Sequence, residues 1–450
     1  MMDGLPHPQR FYAFITIAIA MTMAVLDSAI VNIALPTIGQ ELAISPAETI
    51  WIVNAFQLAV TVSLLPLASL GESIGYKKIY WCGLAVFTAA SFACATSHSL
   101  LALSVARMVQ GVGAAGIMSV NIALVRFIFP RQQLGIGMGY TSLIVAVSSA
   151  AGPTVASAIL SFAHWQWLFL VNVPLGLAAL VVAARTLPTT PVSGHRFDLA
   201  STMLNALTFG CLITGLNAFS DPDGRARAAV LLAGALFFGA FYVRRERRLA
   251  IPMLPFDLLR SPVFAFSMMT SISSFAAQTM AYVALPFYFQ HTLGRSEVAT
   301  GFLMTPWPLT TALIAPLAGR LSDRIAPERL CSTGLVILSI GLASLAMIGS
   351  APSGFDLSWR LAVCGLGFGL FQSPNNRIII SSAPRERSGG ASGLQSMGRL
   401  LGQSIGAAFV AIVFGLVHGS QTAWVIWCGT SLSLMAACAS GMRRTSIAKA

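Results

Sequence analysis

The stretch LDSAIVNIALP, Leu26 to Pro36, sets a carboxylate, Asp27, inside a run that otherwise reads as membrane-spanning. From Phe11 to Ala34 nearly every residue is apolar or small, close to the ~20 residues that an α-helix needs to cross a bilayer. An ionised carboxylate in hydrocarbon costs roughly 2.5–3.5 kcal/mol on insertion scales, so such a residue normally faces a bundle interior or a watery cavity and marks a substrate, ion or proton path. The plainer alternative is a structural carboxylate paired with a neighbouring helix.

The surrounding composition fits that reading. Of 450 residues, 56% are hydrophobic and 9% charged, and the mean hydropathy is +0.77, whereas a soluble domain carries ~25% charged residues. Seven cysteines lie singly, without a CxxC pair, so neither a metal site nor a disulfide framework is expected. A net charge of +12 would suit nucleic acid only if a basic domain lay outside the membrane, and every polar segment is short. No cofactor and no nucleic-acid partner are expected.

Apolar runs separated by polar turns fall at about 12–34, 49–69, 79–97, 100–123, 135–160, 166–184, 199–219, 228–243, 262–288, 298–319, 330–349, 358–378, 391–416 and 423–441. That makes fourteen helices. The first is too long for a cleaved signal peptide and lacks a small-residue cleavage site. Short cytoplasmic loops should carry the Lys and Arg. With the first end cytoplasmic, only Arg225, Arg227, Arg295 and Arg360 of the 27 basic residues fall outside, and Arg107 and Arg399 fall within helices. An error of one helix would scramble that alternation, so both termini are expected in the cytoplasm.

A weak repeat follows. PRQQLG from Pro130 corresponds to PRERSG from Pro384, and Ala68 with Glu72 to Gly319 with Asp323, each about 250 residues on. The offset spans eight helices, an even number, as a parallel repeat requires. The expected architecture is an all-α polytopic membrane protein of two six-helix bundles related by a parallel pseudo-twofold repeat, with two inserted helices. Its divisions fall at 1–190, 191–250 and 251–450.

The strings LDSAIVNIALPTI, WIVNAFQLAVTVSLLPLASLGESIGYKK, RMVQGVGAAG, AGPTVAS, WQWLFLVNVPLG and SAPRERSGGASG stand in order along nearly the whole chain. In sequence and spacing they resemble the signatures of the major facilitator superfamily, specifically its fourteen-helix drug:proton antiporter branch. The resemblance implies a multidrug exporter of a bacterial inner membrane, a monomer that carries lipophilic, cationic compounds against protons and touches membrane lipids. The loop motif departs from the family pattern, with Ala68, Glu72, Ser73 and Tyr76 in place of Gly, Asp, Arg and a basic residue. Its second copy keeps Gly319, Asp323 and Arg324. Acidic and cationic groups there can pair across the halves and close one side of the membrane. In AGPTVAS the flanking glycines become Ser148, Ala156 and Ser157, all small, and Pro153 can still bend the helix.

Arg107 lies roughly 10 Å below the outer end of its helix, and Asp27 roughly 13 Å before Pro36 on a helix running the other way. They share a depth, and a buried arginine wants a partner; whether they touch does not follow from the sequence. Gln110 can share that face. Arg399 lies roughly 12 Å into its helix, with Gln403 a turn on, and reads as a gate or as a side chain snorkelling to the surface. The candidate site therefore comprises Asp27 and Arg107 for proton coupling. Asp27, Asn32, Asn54, Gln57, Gln110, Gln278 and Gln372 are candidates for substrate contact, and Glu72, Lys77, Gly152, Pro153, Asp323, Arg324 and Arg399 for gating.

A transporter competes with two other readings. Solute uptake by proton symport would use the same fold. An intramembrane enzyme would need a set such as H-E-x-x-H at membrane depth, and none of the six His lies deep in an expected helix. The string G-x-x-x-x-G-K-[ST] is absent, so an ion gradient is the expected energy source. A reporter domain fused into the 185–198 loop should read cytoplasmic; a periplasmic reading would break the helix count.

Overall fold

The computed structural model describes residues 4–130, 133–190, 192, 197–219, 224–249, 256–322, 324–349, 352–382, 388–417 and 419–447. Among these there is no strand, as expected where every backbone polar group must be satisfied within its own segment in lipid. The long helices are α1 (Gln9–Glu41), α2 (Pro46–Ile74), α3 (Tyr76–Ala95), α4 (Leu100–Ile128), α5 (Leu134–Leu160), α6 (Gln166–Thr186) and α7 (Leu199–Ala218). They continue as α8 (Arg225–Glu246), α9 (Pro262–Phe287), α10 (Glu297–Leu321), α11 (Pro327–Ala346), α12 (Gly354–Ser381), α13 (Ser388–Leu416) and α14 (Gln421–Ile447).

Twelve of the helices are long and apolar enough to cross a membrane by composition. The two others, α9 and α12, have 26 and 28 residues, ample length at 1.5 Å per residue. Their hydropathy is diluted by polar side chains such as Ser267, Ser271, Gln278, Gln372 and Asn375, which enclosure by neighbouring helices makes tolerable. The run ending near Ala34 proves longer than its apolar stretch, because α1 continues past Pro36 to Glu41. Glu41 accepts a hydrogen bond from Trp165 Nε1 at 2.7 Å there.

Packing reproduces the repeat. In the first bundle α3 lies on α4, α2 on α4, α1 on α5 and α6, and α3 on α6. Eight helices later α11 lies on α12, α10 on α12, α9 on α13 and α14, and α11 on α14. The agreement extends to single atoms. A Cβ on Gly113 would stand 2.4 Å from the backbone nitrogen of Phe87, and one on Gly367 would stand 2.3 Å from that of Leu338. Likewise Gly111 faces the carbonyl of Phe56, and Gly365 that of Trp307. Only glycine permits these backbones to meet. Between the bundles α2 meets α13 and α5 meets α10, the twofold-related pair, and α1 meets α9 on the axis.

The inserted pair breaks the symmetry. Helix α7 packs on α2 and α13, over one of the two seams, while α8 rests mainly on α7. Two asparagines fix it: Asn54 Nδ2 donates to Asn217 Oδ1 at 2.6 Å, and Asn205 Nδ2 to the carbonyl of Val62 at 2.8 Å. At the loop end Asp198 caps α7 through the amides of Ala200 and Ser201 and pairs with Arg245 of α8 at 2.9 Å. Burial pushes the Asp198 carboxyl up, but the hydrogen bonds from Arg245 and Ser201 outweigh it and hold the group below the usual carboxylate range.

Interhelical hydrogen bonds in membranes are worth about 0.6 kcal/mol and up to about 1.7. Asn54→Leu and Asn217→Leu should each lower the thermal unfolding temperature in uncharged detergent. The double substitution should cost less than the two added together, which a double-mutant cycle reads directly.

Candidate functional site

The carboxylate of Asp27 is turned into the first bundle and is wholly enclosed (0% exposed). Four helices supply its surroundings. Arg107 of α4 forms an ion pair through Nη1 with Asp27 Oδ2, Gln110 Nε2, one turn along, donates to Oδ1 at 2.9 Å, and Asn172 Nδ2 of α6 donates to the same oxygen at 3.0 Å. From α3, Ser91 Oγ accepts a second hydrogen bond from Gln110 Nε2 at 2.9 Å. The arginine itself is 1% exposed. It also donates to Gln110 Oε1 at 2.6 Å and, through Nε, to the carbonyl of Ile52 on α2 at 3.4 Å. Its guanidinium lies over the Phe56 ring, 4.2 Å from the centroid, with Phe169 at 5.6 Å on another side. Cation–π contacts of this kind strengthen when desolvated.

This arrangement explains how two charges survive at membrane depth. A buried pair is tolerated only if its remaining donors and acceptors are satisfied, and each carboxylate oxygen here has a donor. The second bundle lacks the device: at the repeat offset Asp27 corresponds to Gln278 and Arg107 to Leu361.

The helix carrying Asp27 shows a second face to the gap between bundles. Ala29, Asn32 and Ile33 line a small cavity of about 20 Å³ with Ser149 and Pro153 of α5, Tyr282 of α9 and Met304 of α10. Asn32 Nδ2 bonds weakly back to Ser28, and its Oδ1 has no partner among the described residues. Tyr282 packs edge-on against the buried Trp307, with ring centroids 5.1 Å apart. Gln278 is half-buried one turn before Tyr282 on α9. Gln372 is half-buried and lies between the residues of α12 that meet α9 and those that meet α10.

Four hydrogen bonds between described residues tie the bundles together at the end where α1 finishes. Thr37 donates to Glu297 at 2.5 Å, Gln290 to the carbonyl of Ile33 at 2.8 Å, Thr154 pairs with Thr305 at 2.9 Å, and Ser157 approaches the carbonyl of Val298 at 2.9 Å. A Cβ on Gly301 would collide with Ser157 and with the carbonyl of Pro153, so α5 and α10 meet there without space for a solute. Gly152 plays a similar part inside the first bundle, where it receives Ala29 of α1.

Other expected site residues fall elsewhere. Asp27 presents no surface to a substrate in this arrangement, and Gln110 is equally enclosed; both serve the internal network, because their polar atoms are consumed by neighbours. Asn54 is committed to Asn217. Gln57 is buried on α2. Among the gating candidates, Glu72 and Arg324 are exposed at helix ends, and Lys77 Nζ donates to the carbonyl of Ala184, joining α3 to α6. Asp323 lies outside the described residues. Asn172, Ser91 and Phe56 were not singled out in the sequence. Asn172 stands inside WQWLFLVNVPLG, and a polar side chain in so apolar a run is the signal that points to it.

Residues 17–407 match the family profile of the Major Facilitator Superfamily. The chain belongs to that superfamily. It is 53% identical over 445 residues to an uncharacterized transporter, YebQ, of Escherichia coli, covering 98% of this chain and 97% of that one. It is 31% identical over 419 residues to the tetracenomycin C resistance and export protein of Streptomyces glaucescens, covering 92% and 76%. These relatives support the drug-exporting branch that the motifs resemble. The fold is also that of a bacterial homologue of the human lysosomal transporter Spinster, solved in an inward-facing, unoccupied conformation. The TM-score is 0.72 at 15% identity, with 99% of both chains covered. The protein is therefore a multi-pass membrane transporter of small molecules, and not an enzyme.

Removing one partner of a buried pair leaves an uncompensated charge and costs about 3–5 kcal/mol. Asp27→Leu should therefore destabilise the protein more than the double variant Asp27→Leu/Arg107→Leu does. Thermal unfolding in detergent should show that order, and the reverse order would mean the pair is not sealed from water.

Proposed function

We propose that the protein is a proton-coupled exporter of lipophilic small molecules from a bacterial inner membrane. In this reading it works by alternating access, with both termini cytoplasmic. The observation that carries it is the set of hydrogen-bond donors around Asp27, a carboxyl held at membrane depth by side chains of α4 and α6, with Ser91 of α3 accepting from Gln110 behind it.

With Asp27 ionised, the pair draws α1 against α4. Protonation removes the charge that Arg107 neutralises and turns one carboxylate oxygen from acceptor to donor. Arg107 then keeps Gln110 Oε1 and the Ile52 carbonyl as acceptors, so the arginine is not stranded when the proton arrives. The change reaches the seam along packed backbone: α1 touches α5 where Ala29 meets Gly152, and α5 touches α10 where Ser157 meets Gly301. A shift of α1 moves the contact that closes this end of the cleft, and rigid rocking of one bundle on the other converts it into a change of access.

The alternation of basic loops supports a periplasmic position for that closed end. Because Asp27 is enclosed while Asn32 and Ile33 face the cleft, proton and solute act on opposite faces of one helix. In this reading the proton acts on the solute through α1 and not through direct contact of the solute with the Asp27 carboxylate.

The test is made in proteoliposomes with the full chain. Asp27→Asn should keep counterflow of a lipophilic dye but abolish its concentration by an imposed pH gradient, together with substrate-induced proton release. Concentrative transport by that variant would place the coupling group elsewhere.

A further inference from the structure

Nearly midway along the 29 residues of α13 stands Arg399. Successive helix positions turn by 100°, and its neighbours settle its direction. Gly398 and Gly402 lie against Met268 and Ile272 of α9. Leu400 packs into the core of the first bundle, and Leu394 and Met397 pack with Leu65 of α2 and Tyr242 of α8. The arc between the face on α9 and the face on the first bundle holds Arg399 and, one turn on, Gln403. That arc opens into the gap between the bundles. Both side chains are half-buried, as is Gln395 one turn before, so a polar stripe runs along this side of α13.

The guanidinium has no hydrogen-bonding or ionic partner among the described residues, and its Nε is enclosed. The chain holds 15 acidic residues, and among the described helices only Asp27 lies away from an end. That carboxylate is already used by Arg107, Gln110 and Asn172. A cation at this depth is costly and marks a path for a partner of opposite charge; here the described residues supply none. Depth also argues against a side chain merely reaching for the surface, since Arg399 is roughly 16 Å from the start of its helix.

We propose that Arg399 is the anion-recognising residue of the central cleft, and that the solutes carried include amphiphilic organic anions, an aromatic body bearing one carboxylate or sulfonate. This rests on the reading of the cleft as the path of lipophilic solutes. The planar fork of a guanidinium matches two oxygens of such a group. Gln403, one turn on along the same stripe, can donate to the same group, and Tyr282, backed by the buried Trp307, offers aromatic surface elsewhere in the cleft.

The full chain in dodecyl maltoside is tested for equilibrium binding of radiolabelled naphthalene-2-sulfonate and of ethidium, which carry permanent charges of opposite sign. Arg399→Gln should weaken sulfonate binding tenfold or more, Arg399→Lys should weaken it less, and ethidium binding should not fall in either. Equal sulfonate affinity in wild type and Arg399→Gln overturns the proposal. The neutral naphthalene-2-sulfonamide provides a control on wild type alone: it should bind at least tenfold more weakly than the sulfonate, and equal binding also overturns the proposal, whether or not the variants fold. In proteoliposomes of phosphatidylcholine, added phosphatidylglycerol should leave sulfonate uptake unchanged. Displacement by that lipid would assign the arginine to a headgroup and overturn the substrate claim. Sulfonate binding that depends on Arg399 without proton-driven flux of either probe supports the recognition and removes the exporter reading. Proton-driven ethidium flux with sulfonate binding indifferent to Arg399 does the reverse.

Discussion

The desolvated pair of Asp27 and Arg107 constrains the whole first bundle. Each ion would be prohibitively costly alone at that depth, and together they remain so unless every donor and acceptor is met. Meeting them requires side chains from α3, α4 and α6 and a carbonyl from α2 around a single point on α1. Five helices are thereby held to one register. The glycines at 111 and 113 serve the same end, since α2 and α3 can bring Ile52, Phe56 and Ser91 within reach only if their backbones lie almost against α4.

The two bundles share a backbone plan and differ in electrostatics. Contacts from Gly111 and Gly113 recur at Gly365 and Gly367, yet the charge pair is replaced by Gln278 and Leu361. Among the described helices the buried carboxylate–guanidinium pair thus belongs to the first bundle alone. The second instead carries Arg399, and its position in the first bundle is taken by Val145. Dividing the charges in this way places a buried ion pair in one bundle and, in the other, an arginine without a partner among the described residues.

The fold was legible because each of its signals is one-dimensional. Apolar length marked the helices, and a recurring string marked the repeat. The pairing of Asp27 with Arg107 was within reach because equal depth can be counted along two helices. Its orientation was not, since the sense in which a carboxylate turns depends on what stands across from it, and Ser91 and Asn172 come from helices far away in the chain. For the same reason Asn54 read as a cleft residue, although Asn217 lies across from it. A polar residue on a spanning helix announces that it has a partner, and the sequence does not say on which side.

The inserted helices cover the seam between α2 and α13, and among the described residues no helix covers the seam between α5 and α10. There Leu143 and Val147 on one side and Leu309, Leu313 and Leu317 on the other turn outward into lipid. A compound dissolved in the acyl chains thus meets two unequal flanks, one shielded by protein and one directly wetted by the bilayer. Any sideways route from the membrane would therefore have a preferred azimuth around a transporter whose backbone is otherwise close to twofold symmetric.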